Sequence, residues 1–550
     1  MDHHTLTRRS LLATGLTASA TLVVAGCAPG DTTPSMPTGS PGSGTSAPSP
    51  VRPAHIPYDG PKPDLVGDGA TGVPNGFLTY PAEPPSTGRV PVNLSAPITF
   101  LGLGDPPAVP RDRNQWWQQI ESDLGAALNL NIVGSQYVDK FQTSVAGNAL
   151  GDLTQYTPSA PRLPELLEKM FVDLTPHLAG DAVARYPSLA SMPAAAWDMC
   201  TINGKIWGVT NPRIPAGIVL MTRGDVLESK GIATMPNLSN GEDFLDMCRE
   251  VTDRSRNVYA IGQIPQDWTV PVIVEALGGP NTWHVADDGT WTSAYESPEY
   301  AQALEIVTTM WSEGLFHPNS FTDLGATLSW FDGGTTVFLA QNFLGWQERL
   351  AGAKYQVSFP TGAVVMPNWN GGGAAAKHLG APGFASPVGL RKTSDEGRIE
   401  ELLRVMDYIA SPFGTVEFLK VNYGVQGRQW TIRDEQVVLG DAGEGEAMMG
   451  TGLGYAGSTA SVSLYTPGKP DATKQLHAYL TRMVPTGKPN PANGKYSETQ
   501  LSKGAAATRR LEDVMADIIQ GRAALSSWDA AVAAWKSEAG DAIAREYAAG

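Results

Sequence analysis

Between residues 97 and 157 the spacing of apolar positions changes period several times. "PITFLGLG" from Pro97 is a short apolar run closed by glycines, which predicts a buried strand. "NQWWQQIESDLGAAL" from Asn114 repeats its apolar residues at three- and four-residue intervals, so an amphipathic helix is expected, with Trp116 or Trp117 facing its core. "NLNIVGSQ" from Asn129 reads as the next strand, "YVDKFQTSVAGN" from Tyr137 as a second helix and "GDLTQYT" from Gly151 as a third strand. The order βαβαβ opens a parallel-sheet lobe of the α/β class. Ligands of such sheets lie beyond the carboxyl ends of the strands, which places Asp105 and Tyr156 in loops expected to face a site.

Ahead of this region the pattern is different. In "TRRSLLATGLTASATLVVAGCAPG" from Thr7, Arg8 and Arg9 precede an apolar run too short and too rich in small residues to span a bilayer. Residues 1–26 therefore read as an export signal. It resembles a twin-arginine signal, although the lysine often found after that motif is missing. Val24, Ala25, Gly26 and Cys27 resemble a bacterial lipobox, which implies a lipidated Cys27 as the mature N-terminus and a membrane anchor outside the cytoplasm. From residue 28 to 95, Pro, Gly, Ser, Thr and Ala dominate and apolar surface is too sparse to offset ordering, so residues 27–95 are expected to be a tether.

The remaining chain, about 450 residues, is long enough for two or three domains. A net charge of −16 excludes a general binder of nucleic acid or anionic surfaces, which needs positive charge to neutralise phosphates. Cys200 and Cys248 are compatible with a disulfide or with two buried thiols. The chain has no CxxC, no HExxH, no zinc-like histidine spacing, no GxSxG elbow and no phosphate-binding GxxxxGK with Ser or Thr, so neither metal nor cofactor is expected. Gly-rich "GDAGEGEAMMGTGLGYAG" from Gly440 lacks a strand-like run ahead of it and reads as a mobile loop. Carboxylates are plentiful, but nothing marks two of them as a glycosidase pair.

"GDLTQYT", "LEKMFVDLTPHL" from Leu167 and "WDMCTINGKIWGVT" from Trp197 resemble the first lobe and first crossover of carbohydrate-type extracellular solute-binding proteins of ABC importers. "LMTRGDVLESKGI" from Leu220, "GEDFLDMCREVTD" from Gly241, "TTMWSEGLFHP" from Thr308 and "FDGGTTVFLAQNFLGW" from Phe331 are similar to later elements of that family, in the same order. "LLRVMDYIASPFGTVEFLKVNYGVQGRQWT" from Leu402 and "SSWDAAVAAWKSEAGDAIAREY" from Ser526 resemble its long LipO-like branch of lipoproteins. The resemblance implies a two-lobed periplasmic-binding-protein-like fold of type II with crossover hinges. Lobe 1 would comprise 96–209 and 367–423, and lobe 2 would comprise 210–366 and 424–550. Crossovers would fall near 208–211, 363–367 and 423–427. A Cys200–Cys248 bridge would then pin a moving hinge. Some relatives carry a calcium loop where this chain has "DRSRNVYAIGQ" from Asp253, but Val258 replaces the glycine and no Glu closes the loop.

A sugar presents directional hydroxyls and apolar C–H faces, so its site needs aromatic platforms and bidentate polar side chains. On the implied fold, Trp268, Trp346, Trp430 and Tyr156 follow strands or lie near crossovers and are candidate platforms, with Trp283 and Phe384 behind them. Asp105, Arg213, Gln341, Asn342 and Arg428 are the candidate polar partners. Trp528 and Trp535, on an amphipathic C-terminal helix, are expected in the core. The function implied is capture of a mono- or oligosaccharide by lobe closure and delivery to ABC permease subunits, by a non-enzymatic monomer. A secreted carbohydrate-active hydrolase or lyase, and a surface adhesion or sensor lipoprotein, are the alternatives.

Overall fold

The computed structural model of the protein describes residues 51–352, 359–440 and 452–549. The export signal, the lipobox with Cys27, residues 28–50 of the expected tether and 441–451 of the glycine-rich stretch lie outside the described residues.

Local chemistry sets the first elements where the pattern predicted them. The Asn114 side chain accepts the Trp117 N–H at 3.0 Å, and Gly125, at φ 72°, closes the helix Gln115–Leu124. That phase buries Trp116, Ile120 and Leu124, with the Trp116 indole donating to the Lys420 carbonyl at 3.1 Å. In the first sheet the order is Val388–Leu390, Leu153–Gln155, Ile98–Leu103, Leu128–Val133. Ile98–Leu103 is parallel to both neighbours, whereas Val388–Leu390 joins antiparallel from much later in the chain.

The second sheet has the order Thr361–Val364, Ile218–Arg223, Thr336–Asn342, Tyr259–Ile261. Ile218–Arg223 runs antiparallel to both neighbours, and Thr336–Asn342 is parallel to Tyr259–Ile261. The helices Pro298–Ser312, Ala505–Ile519 and Trp528–Trp535 share one apolar core with Phe244, Ile273 and Phe338 on this side. Trp528 stacks on Tyr300 there, with centroids 5.4 Å apart and planes at 7°. Residues 363–364, where a crossover was expected, are thus part of the edge strand of the second sheet. Residues just beyond stay with it too, since Lys377 is paired with Glu275 on the helix Pro265–Ala276. The later segment, 382–388, is the one that runs beside 209–213.

Residues 51–95 are a second correction, because they are laid over the folded body. Ala54 N–H donates to the Gly180 carbonyl at 2.9 Å and Arg52 grips Asp198 with two 2.6 Å bonds, both on the first-sheet side. Gly76–Phe77 then pairs in parallel with Leu464–Tyr465, and Val73 joins the core that holds Trp346 and Tyr479 beside the second sheet. The chain returns to the first side, where Val92 and Leu94 N–H groups meet the carbonyls of Asp123 and Leu124. Composition averaged over 28–95 concealed a few apolar anchors: Val73, Tyr80, Val92 and Leu94 are all buried, and the Tyr80 hydroxyl donates to the Thr415 carbonyl at 2.7 Å. A chain starting at Val90 is accordingly expected to melt at a lower temperature than one starting at Val51, because it bares the Phe413, Phe418 and Tyr465 rings that Tyr80 covers. Equal melting curves in calorimetry would show that this strap contributes nothing to stability.

Candidate functional site

The two sheets are joined by segments that pair with each other. Val209 and Val388 exchange backbone hydrogen bonds of 2.9 and 2.8 Å, Phe384 N–H donates to the Asn211 carbonyl at 2.9 Å, and Arg213 N–H donates to the Pro382 carbonyl at 2.8 Å. The approach is close enough that a Cβ on Gly208 would lie 2.6 Å from the Val388 carbonyl oxygen. Buried Asn211 ties in a third segment: its Nδ2 donates to the Ser458 carbonyl at 2.6 Å and its Oδ1 accepts from Ser461 Oγ at 3.3 Å. Ser458 Oγ in turn donates to Asn422 Oδ1 at 2.8 Å. A buried network with every member satisfied fixes the register of the junction.

That register assembles a cation on an aromatic stack. Phe384 and Tyr455 lie parallel, centroids 4.4 Å apart at 12°, and the Arg213 guanidinium stands 5.3 Å from the first ring and 6.0 Å from the second. All three residues are half-buried. Tyr455 arrives on the short helix Leu453–Ala456, after Gly452 passes, at φ 78°, so close to the Leu103 carbonyl that a Cβ would collide with it. The stack therefore stands at the carboxyl end of the strand Ile98–Leu103. Burial lowers the Arg213 pKa, and the Tyr455 hydroxyl and the Glu348 carboxylate partly offset this. Glu348 belongs to the helix Phe343–Ala351, which follows the carboxyl end of Thr336–Asn342 in the second sheet.

Other predicted residues sit around the rims. Trp268 is half-buried on the first turn of the helix Pro265–Ala276, packed against the second core. Asp105 is exposed in the loop after Ile98–Leu103. Asn342 is exposed but its Oδ1 caps Phe343–Ala351, accepting the Gly345 N–H at 2.8 Å, while Gln341 Oε1 accepts the Asn342 N–H at 3.0 Å. Arg428 is half-buried in the turn ahead of Trp430–Arg433. Gln263, which no motif marks, clamps the strand ends of the second sheet through two bonds to Ala340, 2.7 and 2.6 Å long.

Four candidate platforms are core residues instead. Trp346 is 0 % exposed, edge-on to Tyr479 at 5.2 Å and Phe343 at 6.0 Å. Trp430 is 1 % exposed and its indole donates to the Gly424 carbonyl at 2.7 Å. Tyr156 is 1 % exposed against Phe171, its hydroxyl meeting no hydrogen-bond partner among the described residues. Trp283 is buried among Trp291, Trp535 and Tyr547. A ring enclosed on both faces offers no surface to a sugar; each follows a strand or a loop, but its side chain turns inward. Tyr455 was missed because it lies within the glycine-rich stretch read as a mobile loop, whose last part, Leu453–Ala456, is instead a short helix with Leu453 in the first core.

Cys200 and Cys248 are free and buried in different cores, and burial pushes both thiols up. The Asp253 side chain accepts from the backbone of Ser255 and Arg256, at 3.1 and 3.3 Å, and so closes its own turn. Among the described residues no cluster of His, Cys, Asp or Glu could hold a metal ion.

A separate cavity of about 360 Å³ opens on the second-sheet side, lined by Pro271, Glu275, Asn281, Tyr295 and His378. Two of its polar side chains are engaged by the chain itself: Asn281 donates to the Leu379 and Lys488 carbonyls, and Glu275 binds Lys377 and the His378 N–H. The junction, with its cation and open aromatic stack, is the stronger candidate.

Two α/β bodies joined by paired crossing segments, with the candidate site between their strand ends, constitute the fold of type II periplasmic solute-binding proteins. No family model matches the chain. Among curated proteins it is similar to lipoprotein LipO of Bacillus subtilis (strain 168), 20% identical over 463 residues, which are 80% of this chain and 89% of that one. Among solved structures it is similar to the N-glycan transport solute binding protein of Streptococcus pneumoniae, with TM-score 0.60 and 16% identity over 83% of this chain and 98% of that one. It is likewise similar to the alginate-binding protein AlgQ2, with TM-score 0.58 and 14% identity over 84% of this chain and 99% of that one. The substrate binding protein FusA of S. pneumoniae, solved with kestose, has TM-score 0.59 and 13% identity over 82% and 98%.

Proposed function

We propose that this protein is a lipid-anchored, extracytoplasmic solute-binding protein that captures a mono- or oligosaccharide between its lobes and hands it, chemically unchanged, to the permease of an ABC transporter. The observation that carries this reading is the Phe384–Tyr455 stack with Arg213 over it, at the base of the junction between the two sheets. Such a floor offers a flat apolar face for sugar C–H groups and a fork of donors for hydroxyls. The alginate, N-glycan and kestose proteins of the same fold support a carbohydrate ligand.

Capture would proceed by closure. Sugar bound on one lobe gains contacts from the other only in the closed form, and closure is favoured by that difference in affinity. Trp268, Gln341 and Asn342 would supply contacts from the second sheet, and Asp105 from the first. The signal with Arg8 and Arg9 and the lipobox ending at Cys27 support export and anchoring through lipid, and the body would act as a monomer. Among the described residues no helix is long and apolar enough to cross a membrane.

A thermal-shift screen of the chain from Val51 onward, against neutral and acidic sugars with amino acids and peptides as controls, tests the reading. A bound sugar at 100 times its dissociation constant is expected to add about 2.7 kcal/mol of stability. A rise with no sugar would remove the carbohydrate reading, and a rise that decays as the sugar is consumed would mean an enzyme.

A further inference from the structure

Arg213 differs from the other buried or half-buried arginines near the second sheet. Arg223 is held by Asp225 at 2.6 Å, and Arg349 by Asp332 at 2.5 Å. Arg213 has no carboxylate within ion-pair distance among the described residues; Glu348, across the junction, acts on it only through space. Its main-chain N–H is bonded to Pro382, and its side chain lies over Phe384 and Tyr455. The Tyr455 hydroxyl meets the guanidinium but, like the two rings, offers its edge no acceptor of full negative charge.

Removing a guanidinium from water without giving it a counter-charge is unfavourable, and the lowered pKa of Arg213 reflects that burial. A carboxylate is the anion whose two oxygens match the guanidinium fork, and such charge-assisted pairs are stronger than bonds to neutral hydroxyls. A pyranose ring laid on the exposed part of the aromatic stack would bring a substituent at its rim to the same guanidinium. The overall charge of −16 works against anions at long range, so selection for one has to come from a local group of this kind.

We propose that Arg213 is the anchor for a ligand carboxylate, and that the glycan taken by this protein is therefore acidic, built from or ended by uronate-type sugars. This rests on the sugar-binding reading above. It assigns the Arg213 fork to the carboxylate and the Phe384–Tyr455 stack to the ring that bears it.

The test uses the chain from Val51 onward and calorimetric titration with galacturonate, mannuronate, guluronate and glucuronate trisaccharides. Each is paired with the same trisaccharide whose carboxylates have been reduced to primary alcohols. At least one uronate is expected to bind about tenfold or more tightly than its reduced partner, a preference that weakens with added salt. Arg213→Met is expected to abolish that ratio and Arg213→Lys to retain part of it; the ratio is read within each variant, so a general loss of folding does not imitate the result. Reduced sugars binding as well as or better than their uronates would overturn the assignment while leaving carbohydrate capture standing. An undiminished preference in Arg213→Met would overturn it as well. Binding of no sugar in either series, together with the thermal screen, would take down the carbohydrate reading and this assignment with it.

Discussion

Replacing Trp346 with alanine is expected to destabilise the fold by about 3–5 kcal/mol, without weakening ligand binding by the molecules that remain folded. The indole is fully enclosed by the core of Phe331, Phe343, Tyr479 and Leu480, on the face of the second sheet that also receives Val73 from the N-terminal strap. Its removal leaves a cavity that the edge-on rings of Phe343 and Tyr479 are too well packed to fill. Trp346→Phe should cost much less, because the indole N–H is buried without a hydrogen-bond partner among the described residues and phenylalanine removes that unmet donor along with only part of the volume. Denaturant unfolding of the three proteins, with sugar titration at low denaturant, measures both quantities. Lost affinity at unchanged stability would return Trp346 to the ligand site.

An effect of the same size is expected from Lys377→Met. Lys377 and Glu275 are each 3 % exposed; the ammonium donates to both carboxylate oxygens at 3.0 Å, and the His378 N–H adds a third bond at 2.8 Å. Taking away the cation strands a carboxylate inside the protein, a loss of about 3–5 kcal/mol. Lys377→Met with Glu275→Gln should be less destabilised than the sum of the single changes, since neither charge is then left alone. The pair also ties residues 377–378, just ahead of the crossing segment, to the helix Pro265–Ala276, so the single variant is expected to loosen the approach to the junction. A double-mutant cycle by urea unfolding reads the coupling, and additive losses would mean the two groups act independently.

The tryptophan result bears on what can be read from residues in order. Trp346 is a candidate because it follows a strand, where ligand-facing loops begin, and Trp430 because it lies at the expected third crossover. Position after a strand says that a side chain is near the end of a sheet. It does not say whether the side chain points out of the sheet end or back under it, and both indoles are buried. Arg213 and Phe384 were chosen on similar grounds and do meet, because residues 209–213 and 382–388 pair in one particular register. Their partner Tyr455 had no signal of its own. The strap was lost for a statistical reason, since four buried anchors were averaged with the prolines and glycines around them.

What the sequence determined by itself was local and periodic. Apolar spacing placed the strand Ile98–Leu103, the helix Gln115–Leu124, the strand Leu128–Val133, the helix Tyr137–Ala146 and the strand Leu153–Gln155, because side-chain periodicity and caps such as Asn114 act within a few residues. The order of motifs indicated a two-lobed α/β fold. Tertiary structure alone decided that Val388–Leu390 completes the first sheet, that the strap covers Phe413 and Phe418, and that Arg213 lies over Phe384 and Tyr455. Those outcomes depend on which distant segments pair and which rings then share one enclosed volume. Contacts between residues far apart in the chain are set by packing of the whole core, and no short window of sequence contains them.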